Sequence, residues 1–434
     1  MSPVMIGAIA IVALIILIAM RMWIGVAMGI VGLVGLIALR GMDQAMLMAA
    51  DVPFSNVNSY TLTVIPMFAL MGMIISESSI GTDLFKACNA WLGPIRGGLA
   101  SATVATSGLL GAICGSHMVG TVIMSKIALP EMKRYNYEPG FAAATVCAGA
   151  PLSIIIPPSL PLIMYGIITE QSIGKLFMSG IVPGITMIVV FILIIVFYCT
   201  RNPDKGPKGA RLALPDRIKA SRGIIPVVIL FIVVLGGIYT GVFTTTESGA
   251  IGSFGAVIIA LLYKSLNGKK FLLAVKETAM TIGMIFSLLL GTYIFIRFIS
   301  YSKIPFAISE IIVKLDAPMP VLMLALALIY VVLGMLIPEI PMMILTVPIL
   351  YPALMAVGFD PIWLGIFIVL MMALGAVTPP IGMVVFIVSG LSGVSVPKLF
   401  KGVVPFIIGD VVVIILMCIF PQMATWLPSK MSGA

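Results

Sequence analysis

Few residues in this sequence could do chemistry in an apolar environment, and they fall at marked interruptions. His117 is the single histidine of the chain, and Glu339 lies inside an otherwise apolar stretch. Two proline pairs, at 157–158 and 379–380, interrupt two further apolar runs. Proline lacks the backbone N–H and clashes with the preceding helical turn, so each pair is expected to break a helix and free carbonyl oxygens. Such carbonyls suit small hard cations, whereas an ionisable group within a membrane usually has a functional role.

The helices that carry these residues are expected to lie in a membrane. The chain has 434 residues, of which 61% are hydrophobic and only 9% are charged, whereas soluble domains carry about 25% charged residues. This composition excludes a soluble enzyme, a disordered chain and a disulfide scaffold. At about 20 apolar residues per span, the length allows on the order of ten to fourteen membrane segments. The five cysteines are scattered, and no phosphate-binding loop, nucleophile elbow or metal-ligand cluster is present, so we expect no enzyme.

The net charge of +9 indicates orientation in a membrane rather than a nucleic-acid partner. No nucleic-acid-binding motif is present, and cytoplasmic loops of membrane proteins are enriched in lysine and arginine. The most polar segment, 201–222, is therefore predicted to be a cytoplasmic loop of a multi-pass protein that contacts membrane lipid. Its seven basic residues are Arg201, Lys205, Lys208, Arg211, Arg217, Lys219 and Arg222.

The second half of the chain repeats the first at an offset of 222 residues. In each half, an apolar run breaks at a polar tip (111–117 and 334–339), and a second run then breaks at a proline pair. Paired broken helices in two repeats are the sequence signal of a transporter binding site. The alternative is a pair of proline kinks that bind nothing. The offset superimposes Pro130 on Pro352, Pro139 on Pro361, Pro157-Pro158 on Pro379-Pro380, Gly180 on Gly402 and Pro183 on Pro405.

Several motifs resemble one membrane-protein family. They are "GLLGAICGSHMVGT", "GAPLSIIIPPSLPLIMYG", "SIGKLFMSGIVPG" and "GAVTPPIGMVVF", together with "IPMFALMGMIIS" and "GPIRGGLA". These motifs are similar to those of the large membrane subunit of tripartite ATP-independent periplasmic (TRAP) transporters. The resemblance extends from about residue 60 to about residue 410, and its motifs keep their order and spacing.

The resemblance implies a fold and a mechanism. The fold is an all-α polytopic membrane protein of the ion transporter superfamily, with an inverted repeat, two re-entrant helical hairpins and two helices broken at Pro-Pro. The implied function is sodium-coupled import of an organic acid across the bacterial inner membrane by an elevator-type movement. The implied partners are a periplasmic substrate-binding protein and a small membrane subunit of about four helices. The expected division is 1–80 and 223–300 as scaffold, 81–200 and 301–420 as the repeats of the transport domain, and 201–222 as the basic loop.

The same resemblance places a sodium site between each hairpin tip and the neighbouring proline break. The first site is expected at Gly111, Cys114, Ser153, Ile156 and Pro158, and the second at Gly334, Gly375, Thr378 and Ile381. Cys114 stands where the family pattern has a serine, and a thiol is a poor sodium ligand. Either the first site uses backbone oxygens, or it is altered. As another alternative, Cys114 is simply a small buried hydrophobic residue.

Four residues are candidates for binding the organic acid: Ser116, His117, Arg297 and Glu339. The repeat offset pairs His117 with Glu339, so one polar tip is predicted to face the other. Glu339 could order the site, accept a substrate hydroxyl, couple protons or cap a helix. The planar guanidinium group of Arg297 suits a carboxylate or sulfonate, although an arginine at the end of an apolar stretch also reaches lipid headgroups.

Two other functions are compatible with parts of this pattern. A self-sufficient dicarboxylate or citrate carrier of the same superfamily would need no binding protein. An intramembrane enzyme would need a catalytic dyad, but Ser116 and His117 are adjacent and would not face each other on a helix.

Overall fold

In the computed structural model, all regular structure within the described residues is helical. These residues are 1–209, 211–315 and 317–431, without the side chains of 52–54, 56, 57 and 113. Short 3-10 turns lie at Tyr60–Thr63 and Pro203–Lys205. The α-helices are α1 (Pro3–Ala19), α2 (Ile24–Arg40), α3 (Met42–Val57), α4 (Val64–Ser76), α5 (Ile80–Leu92), α6 (Gly98–Cys114), α7 (His117–Arg134), α8 (Pro139–Gly149), α9 (Leu152–Ile155), α10 (Leu160–Thr169), α11 (Ile173–Arg201), α12 (Leu214–Ser221), α13 (Ile225–Tyr239), α14 (Thr245–Leu262), α15 (Gly268–Ser302), α16 (Ile304–Leu315), α17 (Met319–Leu336), α18 (Glu339–Ala356), α19 (Pro361–Val377), α20 (Met383–Ser392), α21 (Val396–Ile419) and α22 (Gln422–Ser429).

The helices are those of a multi-pass membrane protein. Within the described residues, seven spans are long and apolar enough to cross a membrane, or up to nine if each bent helix pair counts as one span. This number is below the ten to fourteen segments that the length allows. The difference arises because further apolar helices of the described residues, among them α1 and α2 with 17 residues each, are shorter than these spans. The broken segment from α8 to α10 counts as a single span of 31 residues.

The helix bounds follow the offset of 222 residues. Helix α18 has the bounds of α7 shifted by 222, and α17 has those of α6 to within one residue. Helix α19 corresponds to α8 and α9 together, and α20 corresponds to α10. Both Pro-Pro bonds are cis. The structure thus confirms the two predicted breaks, at 156–159 and at 378–382.

The two repeats run through the bundle in opposite directions. Helix α19 begins where α10 ends, because the Tyr165 hydroxyl donates to the Pro361 carbonyl over 2.7 Å. Helix α20 ends where α8 begins, since Ser392 and Pro139 line one cavity of about 690 Å³. Each broken helix therefore starts at the end of the bundle where the other finishes.

The two hairpins enter the bundle from these opposite ends. The flanks of the α6–α7 hairpin are bound to the basic loop, since Gly97 N–H donates to Gly206 O and Glu138 N–H to Lys205 O, both over 3.1 Å. The α17–α18 hairpin returns to the other end, where Gln171 Nε2 donates to the Tyr351 hydroxyl over 3.2 Å. Both tips consequently lie inside the bundle.

The broken helices form the centre of the molecule. Every residue of α8 except Pro139, and every residue of α19 except Pro361, is buried. A helix that is apolar on all sides is stable only when other helices surround it. Outside this centre, α2 lies along α15, and glycines permit the approach: a methyl group on Gly32 would lie 2.8 Å from Phe295 Cα. Close backbone contact through small residues is typical of membrane helices.

Candidate functional site

The tips of the two hairpins meet through one pair of side chains. His117 is the first residue of α7, Glu339 is the first residue of α18, and His117 Nε2 lies 3.3 Å from Glu339 Oε2. His117 is only 2% exposed and Glu339 only 8% exposed. The prediction that these two tips face each other is confirmed. Ser116 is next to the pair and half-buried, and its side chain makes no capping hydrogen bond.

The paired groups keep unused hydrogen-bonding capacity. Both ring nitrogens of His117 lack a hydrogen-bond partner of good geometry among the described residues, and so does Oε2 of Glu339. A charge-assisted N–H···O bond is usually about 2.7–2.9 Å long, so a separation of 3.3 Å is loose. Buried polar groups are nearly always satisfied. The pair is therefore equipped to accept a polar ligand.

Backbone groups at the tips add positive potential. Helices α7 and α18 both begin at the pair without a side-chain cap. Helix α10 begins beside them, because Leu160 N–H donates to Gly115 O over 3.3 Å. The first N–H groups of a helix have no partner within the helix, and a helix N-terminus favours an anion. This geometry suits a carboxylate or another small anionic group.

The structure brings the hairpin tip and the first break into contact, as predicted for the first ion site. A methyl group on Gly111 would overlap Ser153 Cα and lie 2.9 Å from the Leu152 carbonyl oxygen. A methyl group on Gly115 would lie 2.9 Å from the Pro158 carbonyl oxygen. Ser153 Oγ is buried without a hydrogen-bond partner. Ile156 lies at the break and is 8% exposed.

Cys114 belongs to this region, but its side chain is directed elsewhere. Its thiol lies 4.0 Å from the Gly72 carbonyl oxygen of α4. The cysteine therefore behaves as a small packing residue against the neighbouring helix. The oxygen atoms near the tip include backbone carbonyls and the Ser153 hydroxyl.

The second predicted ion site has the same backbone contact but is more open. A methyl group on Gly334 would lie 3.1 Å from Gly375 Cα. Thr378 follows at the break, and its hydroxyl donates to the Leu374 carbonyl over 2.6 Å. Ile381 is 37% exposed. By contrast, the first break is covered by α4 and α13, whose residues Met71, Leu230, Phe231 and Val234 surround Pro158.

Arg297 does not join the pair at the tips. It is exposed on α15 and has no hydrogen-bond or ion-pair partner among the described residues. The preceding residue, Ile296, lines a polar cavity of about 810 Å³ together with Gln171 and Thr244. Thr244 and Glu247 form the expected helix cap, a capping box at the start of α14.

Sequence reasoning missed two buried polar residues. Ser159 follows the first proline pair, accepts from Leu162 N–H and donates to the Ile154 carbonyl, so it closes the break and caps α10. A serine directly before an apolar run with an early proline is a helix-start signal. Asp410 is buried in α21, and its Oδ1 has no partner among the described residues. A single carboxylate within the last apolar run was the available signal for it.

Comparisons with known proteins identify the family. The family described as "Tripartite ATP-independent periplasmic transporter, DctM component" matches residues 11–423. The chain belongs to this family. It is 30% identical to the C4-dicarboxylate TRAP transporter large permease protein DctM of Pseudomonas aeruginosa over 377 residues, which cover 87% of this chain and 88% of that protein. It is 31% identical to the ectoine TRAP transporter large permease protein TeaC of Halomonas elongata, over 86% of this chain and 87% of that protein.

One more relative and one solved structure are also similar to this TRAP large permease. It is 27% identical to the sialic acid TRAP transporter large permease protein SiaM of Vibrio cholerae, over 89% of this chain and 90% of that protein. The fold resembles the YdaH transporter of Alcanivorax borkumensis, with a TM-score of 0.69 and 13% identity over 90% of this chain and 91% of that one. The relatives are permeases, which confirms the expectation that this chain is a transporter and not an enzyme.

Proposed function

We propose that this TRAP large permease imports a small organic acid together with sodium ions. The observation that carries the proposal is the meeting of the two hairpin tips at His117 and Glu339, each beside a broken helix. One sodium ion would bind at the first break, between the Gly111 tip and Ser153. A second would bind between Gly334, Gly375 and Thr378.

The organic acid would bind between these ions. The uncapped N-termini of α7 and α18 would supply the positive potential that a carboxylate or sulfonate needs, and the His117 imidazole would supply a hydrogen-bond donor. Bound sodium would add positive charge on either side, so that ion and anion favour each other's binding. Relatives named for C4-dicarboxylates, sialic acid, ectoine and isethionate indicate that the substrate class is a small acid.

Movement and partners follow from the same proposal. The two repeats, 81–200 and 301–420, would form a transport domain that moves against scaffold helices 1–80 and 223–300 in an elevator-type cycle. A periplasmic substrate-binding protein would deliver the acid, and a small four-helix membrane subunit would complete the assembly in the inner membrane. The basic loop 201–222 would face the cytoplasm, in accordance with the positive-inside rule.

Proteoliposomes test this function directly. They would contain this chain and its small membrane subunit, with the cognate binding protein outside, and uptake of labelled organic acids would be followed with and without an inward sodium gradient. Uptake that needs both sodium and the binding protein is the expected result. Uptake with sodium but without the binding protein would instead establish the self-sufficient carrier. Uptake driven only by a pH gradient would show that the sodium assignments are wrong.

A matched pair of variants tests the second ion site in the same assay. Thr378 and Thr278 each donate a hydroxyl hydrogen to the carbonyl four residues earlier in a helix, at 2.6 Å and 2.7 Å. Thr378→Val should raise the sodium concentration needed for half-maximal uptake. Thr278→Val, in α15, should leave that concentration unchanged. Equal behaviour of the two variants would remove Thr378 from the site.

A further inference from the structure

In the described part of the chain, the contact between His117 and Glu339 is the only polar link between the two hairpins. Among the described residues, no other hydrogen bond or ion pair joins a residue of 98–134 to a residue of 319–356. The hairpins enter from opposite ends and meet at their tips. Whether these tips are together or apart therefore depends on one histidine and one carboxylate.

The position beside His117 is the natural place for an anion, and in this structure a carboxylate of the protein lies there. No lysine or arginine of the described residues is buried, so His117 is the only basic side chain enclosed in the bundle. Glu339 places its own carboxylate at this imidazole, at the N-terminus of α18. A substrate carboxylate that used the same imidazole would meet Glu339 as a competitor of equal charge.

We propose that Glu339 is a displaceable latch. Its carboxylate holds the two hairpin tips together through His117 until a carboxylate group of the substrate takes its place. This inference rests on the proposed function, because it assigns the substrate a carboxylate that reaches the tips. It also makes Glu339 a determinant of specificity, since an acid must compete with an internal carboxylate to enter.

The loose geometry of the contact between His117 and Glu339 indicates a latch that can open and not a permanent ion pair. A structural ion pair in a buried site is stable only when the remaining polar atoms are hydrogen-bonded. Here Nδ1 of His117 has no partner, and the Nε2–Oε2 separation is 3.3 Å without good alignment. The pair can therefore separate without breaking an otherwise satisfied network. A ligand carboxylate could bind both the imidazole and the uncapped N–H groups of α7.

The single histidine gives a direct probe of this latch. The purified permease, in nanodiscs and with an affinity tag that contains no histidine, would be labelled with the heavy nitrogen isotope at histidine only, so that all histidine resonances come from His117. Sodium acetate would be added as a minimal carboxylate, with sodium chloride at equal concentration as the control. Acetate, and not chloride, is expected to shift the His117 resonances. Unchanged resonances at high millimolar acetate would overturn the latch.

Two variants separate displacement from a general effect of acetate. Glu339→Gln should already shift the resonances without any added carboxylate, because the internal competitor loses its charge. Glu310→Gln is the matched control, because Glu310 is also paired with a basic side chain, Lys314 at 2.7 Å, but is exposed and distant in the chain. It should leave the His117 resonances unchanged. If Glu339→Gln fails to fold, the acetate experiment on the unaltered permease decides alone.

Uptake kinetics give an independent reading. Because the Glu339 carboxylate competes with a substrate carboxylate for the same imidazole, Glu339→Gln should lower the substrate KM by about tenfold, while it also lowers the maximal rate through a weaker tip contact. A rise in KM would mean that Glu339 binds the substrate or an ion and is not displaced. Absence of uptake by the unaltered assembly would refute the proposed function, whereas the acetate experiment would still report on the latch.

Discussion

Replacement of Gly111 by alanine should separate the first hairpin tip from the first break. The new methyl group would overlap Ser153 Cα and lie 2.9 Å from both the Leu152 oxygen and the Ser153 nitrogen. These are backbone atoms, so no side-chain rotation can make room. Carbon atoms in contact lie about 3.5–4.0 Å apart, and the two backbones must therefore part by about 1 Å.

The energetic cost follows from two opposing effects. Overpacking of a close-packed interface costs about 1–3 kcal/mol, and alanine in place of glycine within a helix returns about 1 kcal/mol. Gly111→Ala should therefore destabilise the permease by up to about 2 kcal/mol. Because ion ligands must be held in place, the sodium concentration for half-maximal uptake should rise by about tenfold or more.

A glycine of α20 with free space around it supplies the control. Gly390 lies within α20, and a methyl group there would have no atom within 4 Å. Gly390→Ala should raise the unfolding temperature and leave sodium-driven uptake unchanged. The assays are thermal unfolding of the purified protein in detergent and uptake at increasing sodium concentrations. The reasoning is refuted if Gly111→Ala matches this control in both assays.

Three further predictions concern individual contacts. Ser153→Ala should weaken the apparent sodium affinity without lowering the unfolding temperature, whereas Ser179→Ala, which removes a hydroxyl bonded within its own helix, should change neither. Asp360→Ala should cost about 1 kcal/mol of stability, because Asp360 caps α19 by accepting from Trp363 N–H over 2.8 Å, and Asp360→Asn should restore it. Partial burial works to raise the pKa of Glu138, but the hydrogen bonds from Lys398 and the Phe141 N–H outweigh it and lower that pKa below 4.5. The stabilisation is therefore present above about pH 4.5 and lost as pH falls through the folded pKa, so acidification should lower the unfolding temperature less in Glu138→Gln than in the unaltered permease.

Much of the site could be predicted from the sequence because the responsible effects are local. The proline pairs at 157–158 and 379–380 break their helices wherever those helices pack, since the missing N–H and the steric clash belong to proline itself. The offset of 222 residues pairs His117 with Glu339, and the structure places Nε2 and Oε2 of these side chains 3.3 Å apart. The capping box at Thr244 likewise depends on residues within one helical turn.

Other features depended on which helices pack together, and sequence could not supply them. The Cys114 thiol faces Gly72 of α4, which lies 42 residues earlier in the chain. The first break is covered by α4 and α13, whereas Ile381 at the second break is 37% exposed. The amino-acid sequence of the two repeats does not reveal this difference. The residues around Arg297 would be equally apolar whether Arg297 faced a site or the surface. Only the tertiary structure places it on an exposed face.

The sequence by itself determined that this chain lies in a membrane, repeats itself, breaks two helices at proline pairs and carries a polar tip at the corresponding position of each repeat. Composition and proline chemistry act residue by residue, so these properties do not require a fold. Only the tertiary structure decided that the tips touch, that their imidazole and carboxylate remain loosely bonded, and that two equivalent breaks have unequal surroundings. Those properties arise from contacts between distant segments, and the same local sequence is compatible with several such arrangements.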